Sequence, residues 1–415
     1  MEANHEDSCK ALPELLSSFV DTFVDFSVSG GLFLPATPTS PPRPPATSAT
    51  PQDGALPPPD PFRTRYPTPS RLIAIGDLHG DLEKSKQAFR LAGLIDASDR
   101  WSGGSSTVVQ VGDVFDRGGD ELKILYLLEK LKREAAKSGG NLITMNGNHE
   151  IMNVEGDFRF ATRLGFKEFE DWAFWYQMGN KMKTLCAGLP NPKDIFEGIP
   201  RAFHGVKTDA LNGIRARIAA LRPGGPVSTK FLTNNLTVVV AGDSVFVHGG
   251  LLPQHVDYGL ERMNKEVRDW ISGSMGRSAP SYCKGRDAVV WLRKYSEEVA
   301  SKCDCSTLEH VLATIPGARR MIMGHTIQEG GINAICENRA VRIDVGMSHG
   351  CGNGLPEVLE INGNSQEVRI LTSNPLYYKN KDSYKSGIED SGSRKDGVGS
   401  LGSMNRLPQV VEVKA

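Results

Sequence analysis

No stretch of this sequence reaches about 18 uncharged apolar residues, so no segment reads as a membrane-spanning helix. An excess of one charge is missing too. The 48 basic residues face 49 acidic ones, whereas a nucleic-acid surface would show a basic excess. Cysteine is sparse: Cys9, Cys186, Cys283, Cys303, Cys305, Cys336 and Cys351 are odd in number and scattered over 415 residues. That usage fits reduced thiols, and Cys303-Asp304-Cys305 alone is weak as a redox or metal motif. Early arginine is absent, the first being Arg43, while Glu2, Glu6, Asp7 and Glu14 lie upstream of it. Neither a transit peptide nor a secretory leader has that composition. A cytoplasmic location is expected, with a mitochondrial one lacking a typical presequence as the alternative. No internal repeat of fixed period is present.

What is present falls into four parts. Over residues 1–34, Leu12, Leu15, Leu16, Phe19, Val20, Phe23 and Val24 recur at helical spacing, opposite Ser17, Ser18, Asp21, Thr22 and Asp25. This predicts an amphipathic helix, too short to stand alone, that docks on the protein's own body or else on a partner or a membrane surface. Residues 35–69 are rich in Pro, Ser, Thr and Ala and read as a disordered linker. The ordered domain spans 70–375. It opens with apolar runs in RLIAIGDLHG, STVVQVGDVFDRG and NLITMNGNHE, separated by helical patterns, which is an α/β unit with parallel strands. Residues 155–230 read as a helical insert. Strands return in LTVVVAGDSVFVHGG, RRMIMGHT, AVRIDVGMS, PEVLEI and EVRILT, expected to form a second, more antiparallel sheet. Two sheets packed face to face, with helices outside, would use every element. Residues 376–415 turn polar and read as a disordered tail.

Five polar clusters end apolar runs. They are Gly76-Asp77-Leu78-His79-Gly80, Gly112-Asp113-Val114-Phe115-Asp116-Arg117-Gly118, Gly147-Asn148-His149-Glu150, His248-Gly249-Gly250 and Gly324-His325-Thr326. Taken singly, each is an ordinary turn. Jointly they hold four of the nine histidines beside three aspartates, which turns alone do not explain. Carboxylate, imidazole and amide oxygen without thiolate favour manganese, iron or zinc. The donors are too many for one ion and suit two that share a carboxylate, an arrangement that activates water for attack on phosphorus. Arg117, in the same loop as Asp113, could clamp phosphoryl oxygens. Hydrolysis of a phosphate ester follows from residue types.

In this order, GDLHG, GDVFDRG, GNHE, HGG and GHT resemble the phosphoprotein phosphatase branch of the metallophosphoesterases, over roughly Arg71 to Thr372. Longer stretches such as GDLHGDLEKSKQAF, VVQVGDVFDRGGDELKIL, MNGNHEIMN, VVWLRKY and RMIMGHTI are similar to the Shewanella-like protein phosphatases. The tails are similar to the plant cytosolic type of that subgroup. The resemblance implies a calcineurin-like α/β sandwich of two mixed β-sheets flanked by helices. It implies two divalent ions, manganese first, with iron and zinc as alternatives. Asp77 and His79 would ligate one ion, Asp113 would bridge, and Asn148, His248 and His325 would ligate the other. Arg117 and Arg293 would bind phosphate. His149 would protonate the leaving alkoxide, oriented by Asp116, and Glu150 would be structural support. The tyrosine-bearing loop of the eukaryotic serine/threonine phosphatases is replaced by Asp344-Val345-Gly346-Met347-Ser348, so insensitivity to okadaic acid and microcystin is expected.

Phosphoprotein substrates, carrying phosphoserine, phosphothreonine or phosphotyrosine, are the leading expectation. Hydrolysis of dinucleoside polyphosphates uses the same motifs and is the second. An inactive scaffold that binds partners through its N-terminal helix or Pro-rich linker is the third.

Overall fold

Short apolar runs become strands buried on both faces, as parallel strands covered on both sides must be. The structure is a computed structural model that describes residues 63–184, 193–297, 299–363, 365, 367–373 and 409–413. The expected N-terminal helix and the linker up to residue 62 lie outside them. The first described strand is β1 (Arg65–Tyr66), followed by β2 (Arg71–Ile75), β3 (Thr107–Gln110) and β4 (Asn141–Thr144). In β2, β3 and β4 every residue after the first is buried. The three lie parallel, with Ile73 beside Val108 and Val108 beside Leu142. Helices α1 (Leu82–Leu91) and α2 (Glu121–Lys137) make the crossovers. Asp81 caps α1 by accepting the Lys84 N–H at 3.1 Å.

A second sheet holds β5 (Val238–Ala241), β6 (Ser244–Val247), β7 (Arg320–Met323), β8 (Asn333–Ile335) and β9 (Ala340–Arg342), in the order β1-β5-β6-β7-β9-β8. Here β6, β7 and β9 run parallel, β8 is antiparallel to β9, and β5 is antiparallel to β6 but parallel to β1. Gly242, at φ 59°, makes the tight turn between β5 and β6. Each sheet thus contains a parallel trio, and the polar clusters leave the carboxyl ends of both trios.

Between the sheets' sequences come α3 (Asn148–Glu155), α4 (Arg163–Thr184), α5 (Thr208–Leu221) and α6 (Pro226–Phe231). Farther on are α7 (Pro253–Tyr258), α8 (Leu260–Ile271) and α9 (Cys305–Thr314). One continuous buried apolar cluster joins strands and helices, from Leu72 and Val108 through Phe169 to Val239, Met321 and Leu359.

Four expectations need correction. The strands in PEVLEI and EVRILT are β10 (Glu357–Asn362) and β11 (Glu367–Thr372), and they join the first sheet. β10 lies antiparallel to β2, with Leu359 opposite Ala74. A hairpin moves as a unit, and β2 offered it an open edge beside three parallel strands. Part of the predicted linker is β1, held by backbone bonds from Val240 N to Thr64 O (2.8 Å) and Gly242 N to Tyr66 O (3.1 Å). Such pairing needs no apolar side chains. Within the predicted tail, Gln409–Val413 forms β12 antiparallel to β11. Finally, the thiols are not all reduced: Cys305 bonds to Cys336, with Cα atoms 5.2 Å apart, while Cys283, Cys303 and Cys351 are free. The start of α9 faces the β8–β9 turn, a juxtaposition that spacing along the chain does not show.

Asn264 ties α8 to the second sheet. Its buried amide accepts from Thr237 N (2.7 Å) and Val238 N (3.0 Å) and donates to Val238 O (2.8 Å) and Thr64 Oγ1 (3.0 Å). Asn264→Ala leaves these groups without partners and is expected to cost about 2–4 kcal/mol. Urea unfolding should show the loss, while kcat stays unchanged.

Candidate metal centre

The loops at the strand ends turn abruptly, and the turn is made by the functional residues themselves. His79, Asp113, Asp116, Arg117 and His325 all have positive φ, between 43° and 69°. This left-handed region costs a residue with a Cβ roughly 1–2 kcal/mol, so the surrounding structure must hold each in place. Glycine makes the close approaches possible. A Cβ on Gly112 would lie 2.4 Å from Gly147 N, so the loops after β3 and β4 touch backbone to backbone. The buried Glu150 carboxylate braces them, accepting from Asp113 N (2.8 Å), Val114 N (2.7 Å) and Gly147 N (2.7 Å).

Asp113 lies at the centre. Its Oδ2 is 3.6 Å from His79 Nε2, 3.8 Å from His149 Nε2 and 3.2 Å from His248 Nε2. Its Oδ1 accepts the His149 N–H at 3.0 Å, in the first turn of α3. His79 Nδ1 donates to Phe115 O and His248 Nδ1 to Val111 O, both at 2.9 Å. A carbonyl only accepts, so each Nδ1 carries a proton, and Nε2 is the nitrogen left facing inward. Asn148 Oδ1 lies 2.9 Å from His248 Nε2. Asp77 Oδ2 lies 4.0 Å from His79 Nε2 and accepts the His325 N–H at 3.1 Å.

Ligand atoms of His79, Asp113 and His149 lie within 4.8 Å of one another, as do those of Asp113, His248 and His325. The two groups share Asp113. The donors suit divalent metal. His325 Nε2 is buried without a hydrogen-bond partner. Burial lowers the His79 pKa to about 4, and burial, His248 and Arg293 hold His325 well below its ordinary value. Both rings are therefore neutral near pH 7, the form in which imidazole can ligate a metal. Burial opposes ionisation of Asp113, but the imidazoles of His248, His149 and His79 hold it well below the usual carboxylate range. Burial, Asp344 and Asp113 raise Asp77, a conflict that divalent cations would relieve.

The cluster opens into a cavity of about 910 Å³ lined by His79, Asp113, His149, Phe160, Arg117 and Arg293 among others. Arg117 packs on the Phe160 ring at 4.9 Å, and its buried Nε has no partner. Arg293 is steadied by Thr326 Oγ1 at 2.9 Å and His325 O at 3.3 Å. His149 Nδ1 bonds Asp116 Oδ2 at 2.6 Å. Every residue singled out in the sequence therefore stands in one cavity or directly behind it.

Two residues were missed. Asp344 follows β9, is buried, shares a hydrogen bond with Asp77, and accepts the Gly346 N–H at 2.9 Å. Its signal was there: an aspartate ending an apolar run in RIDVG, like the other clusters. Arg217, on α5, contacts Asp116 from behind and left no motif.

Residues 70–328 match the calcineurin-like phosphoesterase family. The chain is 60% identical over 413 residues to Shewanella-like protein phosphatase 2 of Arabidopsis thaliana, covering 99% of each chain. It is 29% identical over 311 residues to Shewanella-like protein phosphatase 1 of Plasmodium berghei, covering 72% of this chain and 74% of that one. Among solved structures it resembles a cold-active protein-tyrosine phosphatase of a psychrophilic Shewanella species. That likeness has a TM-score of 0.52 and 20% identity, covers 75% of this chain and 79% of the other, and speaks for the fold.

A Cβ on Gly147 would lie 2.2 Å from Asp113 Oδ1 and 2.8 Å from His248 Cε1. Gly147→Ala must push both away, and is expected to lower bound metal per chain, read by elemental analysis after dialysis against Mn²⁺.

Proposed function

The chain belongs to the calcineurin-like phosphoesterases and, within them, to the Shewanella-like protein phosphatases, and from this premise we propose that it hydrolyses phosphoserine and phosphothreonine in proteins. It is an enzyme, a phosphoprotein phosphatase that cleaves phosphoric monoesters. The observation that carries the finer reading is the placement of a carboxylate–imidazole pair, Asp116 and His149, beside the shared Asp113 and in the same cavity as Arg117 and Arg293.

Asp77, His79 and Asp113 would hold one divalent ion and Asp113, Asn148, His248 and His325 another, manganese being our choice. Bound there, such ions lower the pKa of a water held between them and offset phosphoryl charge. The protein's own groups do the rest. Arg117 and Arg293 orient the phosphoryl oxygens from the cavity wall. Their planar forks suit a tetrahedral dianion. With its Nδ1–H donated to Asp116, His149 carries a transferable proton at Nε2, facing the cavity, when the ring is the imidazolium. A serine alkoxide is a poor leaving group, so proton delivery from this ring is worth about 10²–10⁴-fold. Keeping the ring off the metal leaves that proton available, and the neighbouring amide oxygen of Asn148 serves as ligand in its place.

Burial pushes the His149 pKa down, but Asp113 and Asp116 push it up further, so it lies above the ordinary histidine value. The donor form therefore persists to higher pH than in an ordinary histidine and is lost as pH rises through that raised value. With a phosphoserine peptide, kcat is expected to fall on the alkaline side, and Asp116→Asn should move the fall to lower pH. His149→Asn is expected to reduce kcat on phosphoserine and phosphothreonine peptides by about 10²–10⁴ with both metals retained. Loss of a metal in that variant would make His149 a ligand instead. Activity confined to phosphotyrosine peptides or to diadenosine tetraphosphate would overturn the substrate assignment.

A further inference from the structure

Behind the Asp116–His149 pair lies a buried cation supplied by the helical insert. Arg217, on α5, is fully buried. Its Nη2 reaches Asp116 Oδ1 at 2.9 Å and Glu121 Oε2 at 2.7 Å, and its Nε donates to Asn153 Oδ1 at 2.7 Å. The Asn153 amide in turn donates to Asp116 Oδ2 at 3.0 Å and to His149 O at 2.9 Å. Asp116 is thus gripped on both oxygens, and the oxygen that bonds His149 Nδ1 is the one shared with Asn153.

The insert is shaped to bring the guanidinium in. The Phe169, Phe158, Phe115 and Phe166 rings surround it, with centroids 4.7, 5.5, 5.7 and 5.9 Å from its central carbon. Gly213 lets α5 approach α4, since a Cβ there would lie 2.6 Å from Phe166 O. Gly165 does the same under Arg217, where a Cβ would lie 2.6 Å from Glu121 Oε1 and 3.3 Å from Arg217 Nη1. Moving a guanidinium out of water is costly, and such burial is sustained only by fixed partners. Here the partners are Asp116, Glu121 and Asn153, and two of the three are in contact with the proposed proton donor.

We propose that Arg217 is a positioning residue for proton delivery: it fixes the Asp116 carboxylate, and through it the His149 ring, so that Nε2 faces the leaving oxygen. This rests on the reading of His149 as the proton donor. The role gives the helical insert a part in positioning the proton donor. It also predicts a dependence on the leaving group. A misaligned donor slows departure of a serine alkoxide, which needs the proton, and leaves departure of p-nitrophenolate, which does not, almost untouched.

Two variants test it. Arg217→Lys keeps the charge but cannot hold Asp116, Asn153 and Glu121 together. Arg217→Met with Glu121→Gln removes one buried carboxylate along with the cation, so its fold is not burdened by that unpaired charge. Melting temperature and bound metal are measured first, then kcat and KM on a phosphoserine peptide and on p-nitrophenyl phosphate. The expected result is a kcat lower by roughly tenfold or more on the peptide, KM within about threefold, p-nitrophenyl phosphate within about threefold, and unchanged metal content. Equal losses on both substrates, or no loss on the peptide, would overturn the proposal. His149→Asn serves as the reference. If it shows the same substrate dependence and the Arg217 variants do not, the positioning role alone fails. If it shows none, the proton-donor reading fails with it.

Discussion

The buried Asp113 carboxylate and the three imidazoles around it set the terms for the rest of the structure. A lone carboxylate at this depth would be neutral. Three imidazoles converge on one oxygen of Asp113, and two of them, His248 and His149, are held above their ordinary pKa and favour its charged form. Those rings come from three different strand ends, so both sheets must be in register before Asp113 is compensated. Backbone carbonyls of Val111 and Phe115 then fix two of the rings. The left-handed turns at His79, Asp113, Asp116, Arg117 and His325 are conformations these residues would not choose alone. The structure tolerates them because each places a side chain or an amide where the cluster needs it.

The helical insert belongs to this system. Phe160 O accepts the Arg117 N–H at 3.0 Å while its ring covers that guanidinium, and its centroid is 5.2 Å from that of His149. Arg217 holds Asp116 from the opposite side. The β3 loop is therefore held from two sources: the first turn of α3, through Glu150, and the insert, through Phe160 and Arg217. A segment that looks peripheral in sequence supplies part of the frame in which Arg117 and His149 are set.

Much of the site was legible because its chemistry is local. Each cluster is an apolar run, a glycine and a donor, and strand ends put donors at the same edge whatever the rest of the chain does. Sheet membership was less legible. The β10–β11 hairpin carries the pattern of any hairpin, and nothing in PEVLEI says that its partner is β2 and not a strand nearer in sequence. β1 and β12 escaped because edge pairing uses backbone groups, which composition does not report. Arg217 was hidden by type, since an arginine between Arg215 and Arg222 reads as solvated surface. The clue was its company: Gly213, Ala216, Ala219 and Ala220 are small residues on one side of α5, the sign of a close helix crossing that could enclose it. Cys305 and Cys336 were unreadable as a pair because only the fold brings them together.

The pairing of Leu359 with Ala74 has a consequence for biosynthesis. During translation β2 emerges early and meets β3 and β4 soon after, but its other edge stays open until β10 has left the ribosome. The last histidine of the cluster, His325, also arrives only shortly before that strand. A nascent or stalled chain thus carries an unpaired apolar strand edge beside an unfinished cluster, features that invite association with other chains. The architecture that closes the active site so tightly makes its production depend on finishing the chain promptly or on being shielded until it is finished.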